Sequence, residues 1–161
     1  MVWTPRVTVA AIIERDGAFL MIEEHTNDGV RLSQPAGHLE PGESLVEAAI
    51  RETMEETAHP FTPSGWMGTY LWCIGSDPRR DDTYLRFTFV GSVGEPCNRA
   101  LDPDVVRAFW ITADELRARR PEHRSPLVMR CIDDYLAMQA SGNGWLPLST
   151  QHTEPFSAAA R

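Results

Sequence analysis

Hydrophobic positions along this chain gather into short apolar, β-branched runs in some stretches and recur at a helical period in others. Arg6 to Ile13 is rich in β-branched residues, Asp16-Gly17 follows, and Ala18 to Glu24 is apolar again, which predicts a strand, a tight turn and a second strand. His25 to Gly29 is polar and predicts another turn. Val30 to Gln34 predicts a short extended piece leading into Pro35-Ala36-Gly37, where Pro35 holds Gln34 extended and Gly37 has access to conformations closed to other residues.

Leu45 to Thr57 contains no helix breaker. Ser44-Leu45-Val46-Glu47 is a capping box that starts a helix at Ser44, and Pro60 supplies its stop, because a residue before proline avoids the helical region. At roughly 100° per residue, Val46, Ile50, Thr53, Met54 and Thr57 gather on one side, predicted to pack on a sheet. Glu52 and Glu56 lie one turn apart on the opposite side with Glu55 beside them, over a shallow floor of Ala48 and Ala49.

His59 to Gly65 is a cluster of breakers. Trp66 to Ile74 and Thr83 to Val93 predict two strands, joined by an exposed loop from Gly75 to Asp82. Val105 to Ile111 predicts a further strand, and Thr112 with Glu115 three residues on predicts a helix start. Leu127, Cys131, Ile132, Tyr135 and Leu136 recur near helical spacing, so Ser125 to Ala140 predicts another helix. There is no internal repeat and no linker between two cores. The pattern predicts one α/β domain with a mixed β-sheet over residues 1–141, and a loosely ordered extension, rich in Gly, Asn, Pro and Ser, over 142–161.

Composition narrows the function classes. At 161 residues, 42% hydrophobic and 24% charged, the chain is that of a soluble globular domain. A formal charge of -8 argues against nonspecific nucleic-acid binding, although divalent cations can invert the field around an acidic site and admit a phosphate. Cys73, Cys97 and Cys131 are far apart with no CxxC pair, the usage of a reducing compartment. No secretory core and no apolar run near the roughly 20 residues of a membrane span is present, so a cytoplasmic protein, monomer or homodimer, is expected.

Gly37 to Ala58 concentrates the candidate chemistry, with glutamates at 40, 43, 47, 52, 55 and 56. Acids opposite an apolar stripe are ordinarily a solvated helix face. Here Glu52 and Glu56 repel at i,i+4, by a few tenths of a kcal/mol, and neither has a Lys or Arg at i+3 or i+4. A glycine-bearing loop also precedes the helix. Hard cations such as Mg²⁺ take oxygen ligands from a few carboxylates, carbonyls and substrate phosphates, and these parts are present.

The segment resembles the Nudix box, G-x5-E-x7-R-E-U-x-E-E-x-G-U with U a bulky aliphatic residue, and Gly37, Glu43, Arg51, Glu52, Glu55 and Glu56 match at the required spacing. The resemblance implies a Nudix-type α/β/α sandwich and a hydrolase dependent on Mg²⁺, for which Mn²⁺ can substitute. Carried over by position, it implies that Glu52, Glu55, Glu56 and the carbonyl of Ala36 bind the metal, and that Gly37, Glu43 and Arg51 support the site. Glu52 or Glu55 would take the proton of the attacking water. Thr53, Ala58 and His59 depart from the pattern, at positions that pack and end the helix rather than at implied ligands.

Similarity to the bacterial phosphatase NudJ subgroup of that family extends over most of residues 5–135, including Val7-Thr8-Val9-Ala10, Leu85-Arg86-Phe87 and Arg124-Ser125-Pro126-Leu127-Val128. It implies a small-molecule diphosphate or triphosphate substrate: hydroxymethylpyrimidine diphosphate, thiamine diphosphate, or nucleoside di- and triphosphates with release of phosphate. Arg86 is a candidate phosphate contact, Trp72 a candidate platform for a ring, and Asp104 a candidate extra acid. His38 occupies a variable position of the box. The alternatives are another nucleotide substrate, such as an oxidised nucleoside triphosphate or ADP-ribose, and a non-catalytic ligand sensor. Sensors of this kind commonly lose box glutamates, and all are kept here.

Overall fold

The strand Arg6–Arg15 (β1) is apolar on both faces, and that places it at the centre of the architecture. Val9, Ala11 and Ile13 enter one hydrophobic cluster, whereas Ile12 enters another on the opposite face. In the computed structural model, which describes residues 2–75, 77 and 82–148, β1 runs parallel to Thr83–Val93 (β6), with Thr8 opposite Arg86. It runs antiparallel to Ala18–Thr26 (β2) and Ala36–His38 (β4). Gly29–Ser33 (β3) and Val105–Thr112 (β7) extend the sheet from β2, and Phe61–Cys73 (β5) extends it from β6. The sheet is therefore mixed, as the pattern predicts.

The helix Leu45–Thr57 (α1) contributes Ala48 and Ala49 to the first cluster. Ala113–Ala118 (α2) and Leu127–Ser141 (α3) contribute Leu116, Val128, Cys131, Ile132 and Tyr135 to the second. Helices thus cover both faces, and the chain is an α/β/α sandwich. Among the described residues no helix is long and apolar enough to cross a membrane.

α1 begins as expected, with the Ser44–Glu47 capping box formed in both directions. Its facing is different from the expected one. Ala48, Ala49, Glu52, Thr53, Glu56 and Thr57 form the buried side, while Ile50 is 37% exposed. Two small alanines let the helix backbone come close to the sheet, so the packed side is the one that carries Glu52 and Glu56. Thr53, fully buried where a bulky aliphatic residue was expected, sends its hydroxyl to the carbonyl of Ala49 at 2.8 Å, and Thr57 does the same to Thr53 at 2.6 Å. The hydroxyls are satisfied by the preceding turn, so they enter the core at little cost.

The helix end also differs. Ala58 itself takes the left-handed conformation, at φ 58°, and its N–H donates to the Met54 carbonyl. Pro60 is not the stop. The loop after β6 docks here: the N–H of Cys97 donates to Ala58 and that of Asp102 to Glu55, serving carbonyls the helix leaves open.

β5 starts at Phe61 rather than Trp66 and runs through the expected breakers. It lies at the end of the strand order, where the missing N–H of Pro63 is tolerated, and its register shifts between Pro63 and Gly65. Gly91 stands opposite Pro63, where an added Cβ would come within 2.3 Å of the Thr62 carbonyl.

Past α3, residues 142–148 pack back onto the fold, contrary to the expected loose extension. Trp145 stacks on Tyr135 at 5.1 Å, and Leu146 exchanges backbone hydrogen bonds with Trp66. An aromatic ring and a strand bridge outweigh the local Gly and Asn content. Residues 149–161 lie outside the described residues.

A left-handed alanine costs about 1–2 kcal/mol relative to its preferred backbone. Ala58→Gly is therefore expected to stabilise the protein by up to about 1 kcal/mol, after the added freedom of the unfolded chain is deducted. Urea unfolding of the two proteins measures the difference.

Candidate active site

A cavity of about 640 Å³ opens where α1, β4 and the segment before α3 meet. Ala36, Gly37, Glu52 and Glu56 form one wall. Trp72 and Tyr84 form another, stacked on each other at 5.8 Å. Thr8, Arg86 and Ser125 are buried at its base.

Arg51 organises the glutamate wall. Its Nε and Nη2 donate to the two carboxylate oxygens of Glu43 at 2.9 and 2.7 Å, a bidentate pair. Nη2 also donates to the His38 carbonyl at 2.9 Å, and Nη1 donates to Glu52 at 2.8 Å and Glu55 at 3.1 Å. One guanidinium therefore joins the loop, β4 and the helix. Glu43 is held below the usual carboxylate range by Arg51, and Arg51 is pushed further up by its carboxylate partners.

Gly37 is required by the position of Glu52. A Cβ at residue 37 would lie 2.0 Å from the carboxyl carbon of Glu52, so the carboxylate sits where any side chain would have to be. Glu56 reaches the next residue back: its carboxylate accepts the Ala36 N–H at 2.8 Å. Burial raises the Glu52 carboxyl above its usual range, against the pull of Arg51. It pushes Glu56 up to about 9, with the neighbouring charges of Glu24, Glu52 and Asp102 adding to the effect.

Glu52, Glu56, Ala36, Gly37, Arg86 and Trp72 thus share one cavity. Glu43 and Arg51 brace its wall from behind, and Glu55 turns towards Arg51. Asp104 does not belong here. Its side chain is exposed and absent from the cavity lining, and its backbone carbonyl accepts from the His25 N–H at 2.7 Å. Asp102 is the acid of that loop whose charge reaches Glu52 and Glu56, because its own N–H is tied to the end of α1.

Several cavity residues were assigned no role from the sequence alone. Glu24, buried and ion-paired with Arg124, is one; Thr8, Ser125 and His38 are others. An acid at the end of an otherwise apolar strand was the available clue for Glu24, and the Arg124-Ser125-Pro126 segment for Ser125.

Among the described residues, no three His, Cys, Asp or Glu side chains converge as a ready metal cluster, since Arg51 draws Glu52 and Glu55 to itself. The donor set nevertheless suits a divalent cation. It is all oxygen, and two of its carboxylates, Glu52 and Glu56, are buried.

A family model described as the NUDIX domain matches residues 3–131. The chain belongs to the NUDIX family. Phosphatase NudJ of Escherichia coli (strain K12) is 38% identical over 136 residues, covering 84% of this chain and 86% of the relative, and phosphatase NudJ of Shigella sonnei (strain Ss046) matches to the same extent. A solved NUDIX hydrolase from Nitrosomonas europaea superposes with a TM-score of 0.85 at 45% identity, over 96% of this chain and all of that one. The MutT protein from Methanosarcina mazei Go1, at a TM-score of 0.66 and 20% identity over 89% of this chain, shares the fold. This Nudix chain is accordingly a hydrolase of acid anhydrides in phosphorus-containing compounds, and enzymes of the family generally use divalent metals.

Gly37→Ala should displace the Glu52 carboxylate while leaving the core untouched. Glu52 lines the candidate active site, and a displacement near 1 Å in such a site can cost about 100-fold in rate, so kcat is expected to fall by about that order with an unchanged circular dichroism spectrum.

Proposed function

We propose that this Nudix hydrolase cleaves phosphoanhydride bonds in small diphosphate and triphosphate substrates, using Mg²⁺ held by Glu52, Glu55, Glu56 and the Ala36 carbonyl. Hydroxymethylpyrimidine diphosphate, thiamine diphosphate and nucleoside di- and triphosphates are the proposed substrates, by likeness to the NudJ phosphatases. The observation that carries the reading is one cavity that joins two buried carboxylates of the matched motif, Glu52 and Glu56, to a buried arginine, Arg86.

A bound divalent cation supplies charge neutralisation at the phosphate oxygens and a more acidic water. The chain's own residues do the rest. Arg51 keeps the α1 carboxylates aimed at the cavity, and Gly37 leaves space for Glu52. Glu52 or Glu55 accepts a proton as the water oxygen bonds to phosphorus and the bridging P–O bond breaks, and the displaced phosphate takes the electron pair. Arg86 holds phosphate oxygens, and Trp72, stacked with Tyr84 in the cavity lining, offers a face to a ring.

Release of phosphate from thiamine diphosphate and a nucleotide panel, with and without Mg²⁺, tests this. Rates should be at background in chelator and restored by Mg²⁺ or Mn²⁺; equal rates under both conditions would refute the metal role. The same panel separates this reading from hydrolysis of oxidised nucleoside triphosphates or ADP-ribose.

Glu56 gives a second, independent readout. Its folded-state pKa, raised to about 9, exceeds the ordinary 4.5, so between these values the folded chain holds a proton that the unfolded chain has lost. Metal-free stability must therefore decline as pH rises from about 4.5 to 9. Glu56→Gln is expected to flatten that decline, to melt higher than the parent at pH 8 in chelator, and to lose both hydrolysis and the rise in Tm on adding Mg²⁺. Thermal melts over pH, with and without Mg²⁺, measure all three.

A further inference from the structure

Arg124 lines the same cavity as the α1 acids, and 47% of its side-chain surface is open. Arg86, by contrast, is buried. The backbone at Arg124 is fixed from both sides. Its N–H donates to the Leu32 carbonyl at 2.9 Å, His123 before it bridges to Leu32, Ser125 after it is buried, and α3 starts at Leu127. Only the long side chain needs aiming.

Glu24 does that, with its carboxylate accepting from Nη1. It is 8% exposed and stands where the register between β2 and β7 shifts, between Glu23 and Glu24. A bulge of this kind re-aims a side chain. Glu23 is taken by Arg107 and Arg119, outside the cavity lining, while Glu24 lines the cavity.

A cation that served only to neutralise Glu24 would use its fork. Arg51 meets Glu43 through Nε and Nη2 on two oxygens, and Arg107 meets Glu23 in the same way at 2.7 and 3.0 Å. Arg124 gives Glu24 one nitrogen only. Its Nε and Nη2, the edge that the other two arginines turn on a carboxylate, have no hydrogen-bond partner among the described residues. A single contact to an arginine this exposed adds little to stability.

The free edge belongs to a place where charges converge. Burial lowers the Arg86 guanidinium from its usual range, and the positive charge of Arg124 lowers it further, against the negative charges of Glu24 and Glu56. Arg86, Arg124, Glu24 and Glu56 all line the one cavity. An anion there is served from the α1 side by whatever cation the acids hold, and Arg124 is the accessible guanidinium.

We propose that Arg124 is a substrate-binding residue of this hydrolase, its Nε and Nη2 gripping oxygens of the substrate's phosphate chain while Glu24, as a positioning residue, takes Nη1 and aims the guanidinium. This rests on the phosphoanhydride reading above and deepens it, because it gives the phosphate chain a bidentate contact from a segment outside the matched motif.

Calorimetric titration with methylenediphosphonate in Mg²⁺ buffer reads the grip on a phosphate chain with no turnover and no ring. Arg124→Gln should bind it at least about tenfold more weakly, the order expected for a charge-assisted contact. Arg124→Lys should recover only part of that loss, since an ammonium lacks the planar fork. Glu24→Gln, which removes the charge that aims Arg124, should weaken binding by a smaller factor.

The double variant Glu24→Gln/Arg124→Gln separates contact from support, because it leaves no buried acid unpaired. It should bind as weakly as Arg124→Gln. Recovery of parent affinity in the double variant would make Arg124 a neutraliser of Glu24 and overturn the proposal. Parent-like affinity in Arg124→Gln would overturn it too, as would a parent protein that does not bind methylenediphosphonate. Mg²⁺-dependent hydrolysis is assayed separately, and there the loss in Arg124→Gln should appear as a raised KM. Hydrolysis by the parent with no loss of affinity in Arg124→Gln sinks the role of Arg124 alone, whereas that loss in a protein without Mg²⁺-dependent hydrolysis sinks the catalytic reading alone.

Discussion

Arg51 is the interaction on which the site depends. Its five donors join Glu43 in the loop, the His38 carbonyl in β4, and Glu52 and Glu55 on α1. Without it, a helix would present clustered carboxylates to one another with nothing to offset their repulsion. Partial burial strengthens each contact, and the planar fork fixes direction as well as distance. The same network explains why the carboxylates do not stand as a ready cluster: the guanidinium occupies the place of a counter-ion.

The helix that carries these acids is built for close approach. Ala48 and Ala49 bring its backbone onto the sheet, and Gly37 removes the one side chain that would meet Glu52. Thr53 and Thr57 turn their hydroxyls back into the helix, so polar residues can share the buried side with the acids. A larger residue at position 48 or 49 would lift the helix and carry Glu52 and Glu56 away from Ala36 and Gly37. Site geometry and core packing are thus one constraint.

The cavity separates charge along its length. Acids from α1 line one side, Arg86 lies at the base, and the Trp72–Tyr84 pair forms a neutral face. The overall charge of -8 gives no hint of the buried arginine in its lining. Local fields decide what binds there, because a buried charge is screened far less than the exposed acids that dominate the total.

The sequence by itself determined the elements that local chemistry controls. The Ser44–Glu47 and Thr112–Glu115 capping boxes, the Asp16-Gly17 turn, the apolar runs of β1 and β6 and the spacing of the box residues are short-range facts, and they fixed the fold class. What failed was decided by contacts distant in sequence. The buried side of α1 depended on β4 supplying Gly37, and Pro63 could join a strand because Gly91 lay opposite it. Ala58 could take a left-handed turn with the loop after β6 docked against the end of α1, and residues 142–148 were ordered by Trp66 and Tyr135. The base of the cavity is the strongest case. Thr8, Arg86 and Ser125 are unremarkable singly, and only the parallel pairing of β1 with β6 and the docking of α3 bring them to one cavity.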